Sequence, residues 1–301
     1  MPTPNQTTLK QDRVYPLTRI LAAVIIPFLV AAFIILYLAP QDSGARFAWP
    51  IKPTMSARML GATYLGGAYF FTRVLFARQW HTVRLGFIPV TTFAALMGLS
   101  TLLHWDRFNH GHLAFNLWAI LYFTTPIIVP LVWAYNQREN PDPSASPEAR
   151  FSRPLVLAIG ALGVVLTLVS LLLFLFPALM IPTWPWQLTP LTTRAMAAMF
   201  SLAGLVGLGV ARDRRWSSAS LLFQAQALPI VLILIAMLPA RGEILWSGPA
   251  SWFFVAGMLL VLGLIGWAAV EASRKKAAPL PGIAALLVLA HYLVLPDLIR
   301  W

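Results

Sequence analysis

Long apolar runs with almost no charge dominate this chain. A helix needs about 20 such residues to cross the roughly 30 Å hydrocarbon core of a bilayer. Runs of that kind occupy residues 18–39, 56–76, 85–104, 113–135, 155–180, 192–211, 218–239, 250–271 and 281–297. The ninth is short and bracketed by Pro281 and Pro296. The runs are continuous, whereas barrel strands alternate over about ten residues. Only 11% of the 301 residues are charged, against about 25% in a soluble domain. The expected fold class is therefore all-α, a polytopic helical membrane protein with about nine transmembrane helices. The net charge of +12 is spread over many loops, so nucleic acid is not an expected partner, because binding it needs one basic, water-facing surface. With no cysteine, disulfides and Cys-ligated metals are excluded.

Lys10, Arg13 and Arg19 precede or open the first run, as in a signal peptide. Its length of about 20 residues exceeds the usual 7–15, and the expectation is an uncleaved anchor. Short loops rich in Lys and Arg stay cytoplasmic. With nine spans, one side holds the N-terminus and the loops near 77–84, 136–153, 212–217 and 272–280, and 15 of the 22 bases fall there. The expectation is a cell-membrane protein with a cytoplasmic N-terminus and an outside C-terminus. Basic turns such as Arg212–Trp216 and Arg274–Lys276 suit anionic lipid at the cytoplasmic face, at about 1 kcal/mol per base.

The segment 136–153 is polar and proline-rich, a linker composition. Sliding the chain on itself by 137 residues places Pro40 on Pro177, Trp49 on Trp186, Gly67 on Gly204, Arg78 on Arg215 and Asp106 on Glu243. The expected organisation is a cytoplasmic segment 1–17, a four-helix repeat 18–135, the linker 136–153, a second four-helix repeat 154–272, and a basic loop with a ninth helix over 273–301. An even number of helices per repeat makes the two repeats parallel.

Few residues in the runs carry chemistry. No Asp or Glu lies mid-run, which disfavours a carboxylate proton relay. Gln224 and Gln226 precede Pro229, and Pro89 and Pro126 sit in the third and fourth runs. Amides serve either as interhelical glue or as cavity lining, and paired prolines free carbonyls that a ligand can use. These five residues form the candidate ligand site. The turn His104-Trp-Asp106-Arg-Phe-Asn-His110-Gly-His112 collects imidazole and carboxylate groups, and His291 lies within the ninth run. They are the candidate metal or haem ligands, although the spacing matches no established motif, and polar residues with no ligand, at the membrane interface or bonding a neighbouring helix, explain them better. Gly61, Gly66 and Gly67, with Gly204, Gly207 and Gly209, give small-residue faces suited to close helix packing. The segments Phe47–Pro53 and Pro182–Pro190 set Trp beside Pro, for headgroup anchoring or partner docking. No phosphate-binding loop, zinc-protease or serine-elbow motif is present, and no acid–base partner accompanies a Ser or Thr at membrane depth.

Three functions remain open: a non-enzymatic accessory or structural component docking a membrane-protein partner, a transporter or channel for a small neutral or apolar molecule, and a haem- or metal-binding protein.

Overall fold

The computed structural model describes residues 12–139, 148 and 150–275. The ninth run and His291 lie outside the described residues. Among the described residues there are eight long helices: α1 (Pro16–Phe33, carried on as a π-helix over Ile34–Leu38), α2 (Thr54–Phe76), α3 (Phe87–Leu103), α4 (Leu113–Asn136), α5 (Arg153–Leu175), α6 (Pro190–Asp213), α7 (Trp216–Ala236) and α8 (Pro249–Arg274). There are no strands among the described residues, only isolated bridges at Arg13–Gln79 and Arg150–Arg215. Seven of the helices are long and apolar enough to cross a membrane, the mark of an integral membrane protein. The eighth, α2, is as long as its neighbours but less apolar, and lies inside the bundle.

Boundaries follow local chemistry. Pro lies in the first turn of α1, α5, α6 and α8, where its missing N–H removes no helical bond. Arg214 ends α6 in a left-handed conformation at φ 65°. Pro89 corrects one expectation. It does not interrupt the third span, because α3 begins at Phe87 and Pro89 lies in its first turn. Pro27, Pro126, Pro130 and Pro229 are interior to their helices.

Glycines set the closest helix contacts. A Cβ on Gly204 of α6 would sit 2.4 Å from Thr167 Oγ1 and 2.8 Å from the Thr167 nitrogen of α5. A Cβ on Gly61 of α2 would lie 2.8 Å from the Tyr37 nitrogen at the end of α1. On Gly66 it would lie 2.6 Å from the Ala225 carbonyl of α7, and on Gly98 of α3 it would lie 2.7 Å from the Tyr122 carbonyl of α4. Lipid tails are as apolar as leucine, so such backbone approach is what membrane helices have to gain by associating. The broadest contacts are α5 on α6, α1 on α2, α2 on α7, α3 on α6 and α3 on α4. Among the described residues α8 is the least buried of the seven apolar helices, and Gly257, Gly263 and Gly266 on it have no atom within 4 Å of a would-be Cβ.

Polar ties close the ends. Asn136 Oδ1 accepts from Thr18 Oγ1 at 2.7 Å and from the Tyr15 N–H at 2.9 Å, fixing the start of α1. Glu271 accepts from the Ser152 N–H and hydroxyl at the start of α5. Glu243 accepts from the N–H groups of Thr54 and Met55 at the start of α2. A carboxylate at a helix N-terminus satisfies unbonded N–H groups and complements the helix dipole.

The glycine contacts give a test. Gly204→Val should destabilise the protein by about 1–3 kcal/mol through overpacking, read as a lower thermal midpoint in detergent. Gly263→Ala should leave the midpoint unchanged.

Candidate functional site

A cavity of about 490 Å³ lies where α2, α3, α6 and α7 meet, with α1, α4, α5 and α8 completing its wall. Of the five candidate ligand residues, Pro89, Gln226 and Pro229 line it together, and Gln224 and Pro126 do not. Among the described residues no charged side chain lines it, and its walls are mostly aliphatic and aromatic. Phe253 and Leu260 of α8 line it and are themselves exposed, so the cavity is not sealed on the α8 side by the described residues.

The few polar groups at the cavity are mostly bonded within the protein. Tyr64 Oη and Tyr122 Oη share a hydrogen bond at 2.7 Å. The Thr63 hydroxyl donates to the Met59 carbonyl at 3.0 Å. Among the described residues Gln226 Nε2 has no acceptor, although it is buried. Gln224 is interhelical glue: it accepts from the Tyr69 hydroxyl, which in turn accepts from Arg73 Nη1 at 3.1 Å. Tyr64, Tyr122 and Gly257 were missed as site residues. The two tyrosines carry a usable signal, since a hydroxyl far inside an apolar run needs a partner. Gly257 carries none.

The histidine turn is spent differently. Arg194 Nη1 donates to His104 Nε2 at 2.7 Å, so that nitrogen carries no proton. Burial and the Arg194 charge both hold the His104 pKa below its ordinary 6.5. His110 Nε2 donates to the Trp105 carbonyl at 2.8 Å, Asp106 pairs with Arg107, and His112 stands exposed before α4. Among the described residues no three His, Asp or Glu side chains are placed to hold a metal ion. The tryptophans expected at headgroup level are instead buried in the protein: Trp49, Trp184 and Trp186 are packed among other rings, and Trp186 Nε1 donates to Ser56 Oγ at 2.8 Å.

A second cluster lies at the end of the bundle formed by residues 77–84 and 213–217. His81 Nδ1 is 2.5 Å from Asp12 Oδ2, and His81 Nε2 is 3.1 Å from Ser217 Oγ. Glu148 accepts from the Ser217 N–H at 2.7 Å and from the Ser217 hydroxyl. Beside them, Asp213 is clamped by Arg84 and by Arg215, whose Nε lies 2.7 Å from Asp213 Oδ1. The four residues of the His81 chain are scattered along the sequence, so spacing gave no hint of them.

Two outcomes follow. Replacing Gln226 by Met removes a buried donor without an acceptor, and should raise the unfolding free energy of the ligand-free protein by about 1 kcal/mol, measured by denaturant titration. The His104 pKa is depressed in the folded state, so the unfolded chain binds that proton first as pH falls. Its contribution is present above pH 6.5 and lost below it; comparing melting at pH 7.5 and 5, His104→Asn should shrink the loss.

No protein-family model, no curated protein and no solved structure matches this chain.

Proposed function

We propose that the protein is a membrane carrier or channel that takes a small neutral or apolar molecule, such as a single hydrocarbon chain, into the cavity between its helices. The observation that carries this reading is the cavity itself: large, uncharged, and lined by Pro89, Gln226 and Pro229 together. Ligand sites are typically concave, about 300–1,000 Å³, mostly apolar and equipped with few polar groups. The features that suggest a structural docking component are taken up inside the bundle. Gly61, Gly66 and Gly204 meet neighbouring helices of the same chain, and Trp49 and Trp186 are buried.

In this reading the chain has two parallel four-helix halves and a ninth span over 281–297, with the N-terminus cytoplasmic in a cell membrane. Support for the halves comes from helix positions. Pro16–Leu38 and Arg153–Leu175 start and end 137 residues apart. Packing is reciprocal as well: the second helix of each half lies on the third helix of the other, α2 on α7 and α6 on α3. The cavity forms at that crossing, the place where repeat-built transporters hold substrates. Anionic lipid would meet the basic end.

Gly257 lines the cavity with open space before it, whereas Gly263 faces open space elsewhere on α8. Protein purified from its membrane in mild detergent should therefore carry an apolar molecule near one per chain in its organic extract. Gly257→Trp should lose it, and Gly263→Trp should keep it. Equal amounts in the two variants, or none in the parent, would contradict the proposal.

A further inference from the structure

The cluster at the 77–84 and 213–217 end has the connectivity of an acyl-transfer site: carboxylate to imidazole Nδ1, imidazole Nε2 to a seryl oxygen. The two distances, 2.5 Å for Asp12–His81 and 3.1 Å for His81–Ser217, lie within hydrogen-bond reach. Asp12 also fixes the backbone of His81, accepting its N–H at Oδ1 at 2.9 Å, and itself holds a left-handed φ of 50°. Non-glycine residues in that region persist only where surrounding contacts over-determine them.

Ser217 lies in the first turn of α7, where N–H groups have no helical acceptor and face outward along the positive end of the dipole. Glu148 shows what this place accepts. One carboxylate oxygen takes the Ser217 N–H and the other takes the Ser217 hydroxyl. A carboxylic acid product would make the same two contacts. While Glu148 holds it, the seryl proton points away from His81, because an ionised carboxylate only accepts.

We propose that Ser217 is a latent nucleophile, with His81 as its base, Asp12 as the residue that positions His81, and Glu148 as an internal carboxylate occupying the acyl site. Its substrate class is a carboxylic ester of an amphiphile at the membrane surface, since Ser217 opens an apolar helix directly after the exposed Arg212 and Arg214. Once Glu148 withdraws, Ser217 Oγ bonds to the acyl carbon and its proton passes to His81 Nε2. The ester C–O bond breaks and the leaving alkoxide takes that proton. Water then cleaves the acyl–serine bond, giving the acid and restoring the serine. This site is independent of the cavity's occupancy.

An alkyl fluorophosphonate tests it on the full chain in detergent. Attack by Ser217 Oγ forms a P–O bond and expels fluoride, adding one adduct seen by intact mass and mapped by peptide mass. The parent should label slowly at Ser217, and Glu148→Gln and Glu148→Ala severalfold faster. His81→Gln, made with Glu148→Gln, should label about 100-fold more slowly. Asp12→Asn should slow labelling and Asp12→Glu restore it, which a merely structural role would not produce. Each variant is compared as monodisperse protein. Absence of a Ser217 adduct in the parent and in either Glu148 variant would overturn the proposal, as would labelling that ignores His81.

Discussion

Helices surrounded by hydrocarbon have no hydrophobic reason to leave lipid for each other, so close backbone approach must hold them together. Here that approach rests on glycines. Gly204 against Thr167 joins α5 to α6, Gly66 against Ala225 joins α2 to α7, and Gly98 against Tyr122 joins α3 to α4. The same constraint explains the gap. Among the described residues the glycines of α8 meet nothing, and Gly257 lies in the wall of the cavity. Tight seams and an open pocket are thus two outcomes of one residue type, decided by whether a partner helix comes close.

Polar chemistry is sorted along the helix axis. Carboxylates sit at helix starts, with Glu243 on α2, Glu271 on α5 and Glu148 on α7. Each satisfies N–H groups that an apolar surrounding would leave unbonded, where an orphan costs several kcal/mol. Among the described residues the middle of the bundle keeps neutral groups, such as the Tyr64–Tyr122 pair and Gln226. A cavity in that middle layer therefore presents apolar walls and a few neutral polar groups, with no charged side chain among the described residues that line it.

Much of the fold was legible because one strong signal, about 20 apolar residues in a row, places a helix with little help from context. All eight long helices fall on the expected runs. Details that depend on three dimensions were less visible. Pro89 reads as a break until the start of α3 is known, and Trp49 and Trp186 read as interfacial until their neighbours are. Of the site, Gln226, Pro89 and Pro229 were readable as polar or helix-bending residues inside apolar runs. Gly257 was not, since nothing in a sequence distinguishes a glycine that touches a helix from one that faces a void. Nor was the His81 chain, whose members come from four separate segments.

Photolabelling with a long-chain diazirine hydrocarbon in bilayers, mapped by peptide mass, tests the apolar cavity most directly. The account predicts saturable labelling at interior positions such as Met199, Val206 and Ile230, competed by unlabelled hydrocarbon, above a non-saturable background at outward-facing Leu17 and Ile20. Labelling confined to the outward-facing positions, with no saturable component, would contradict it.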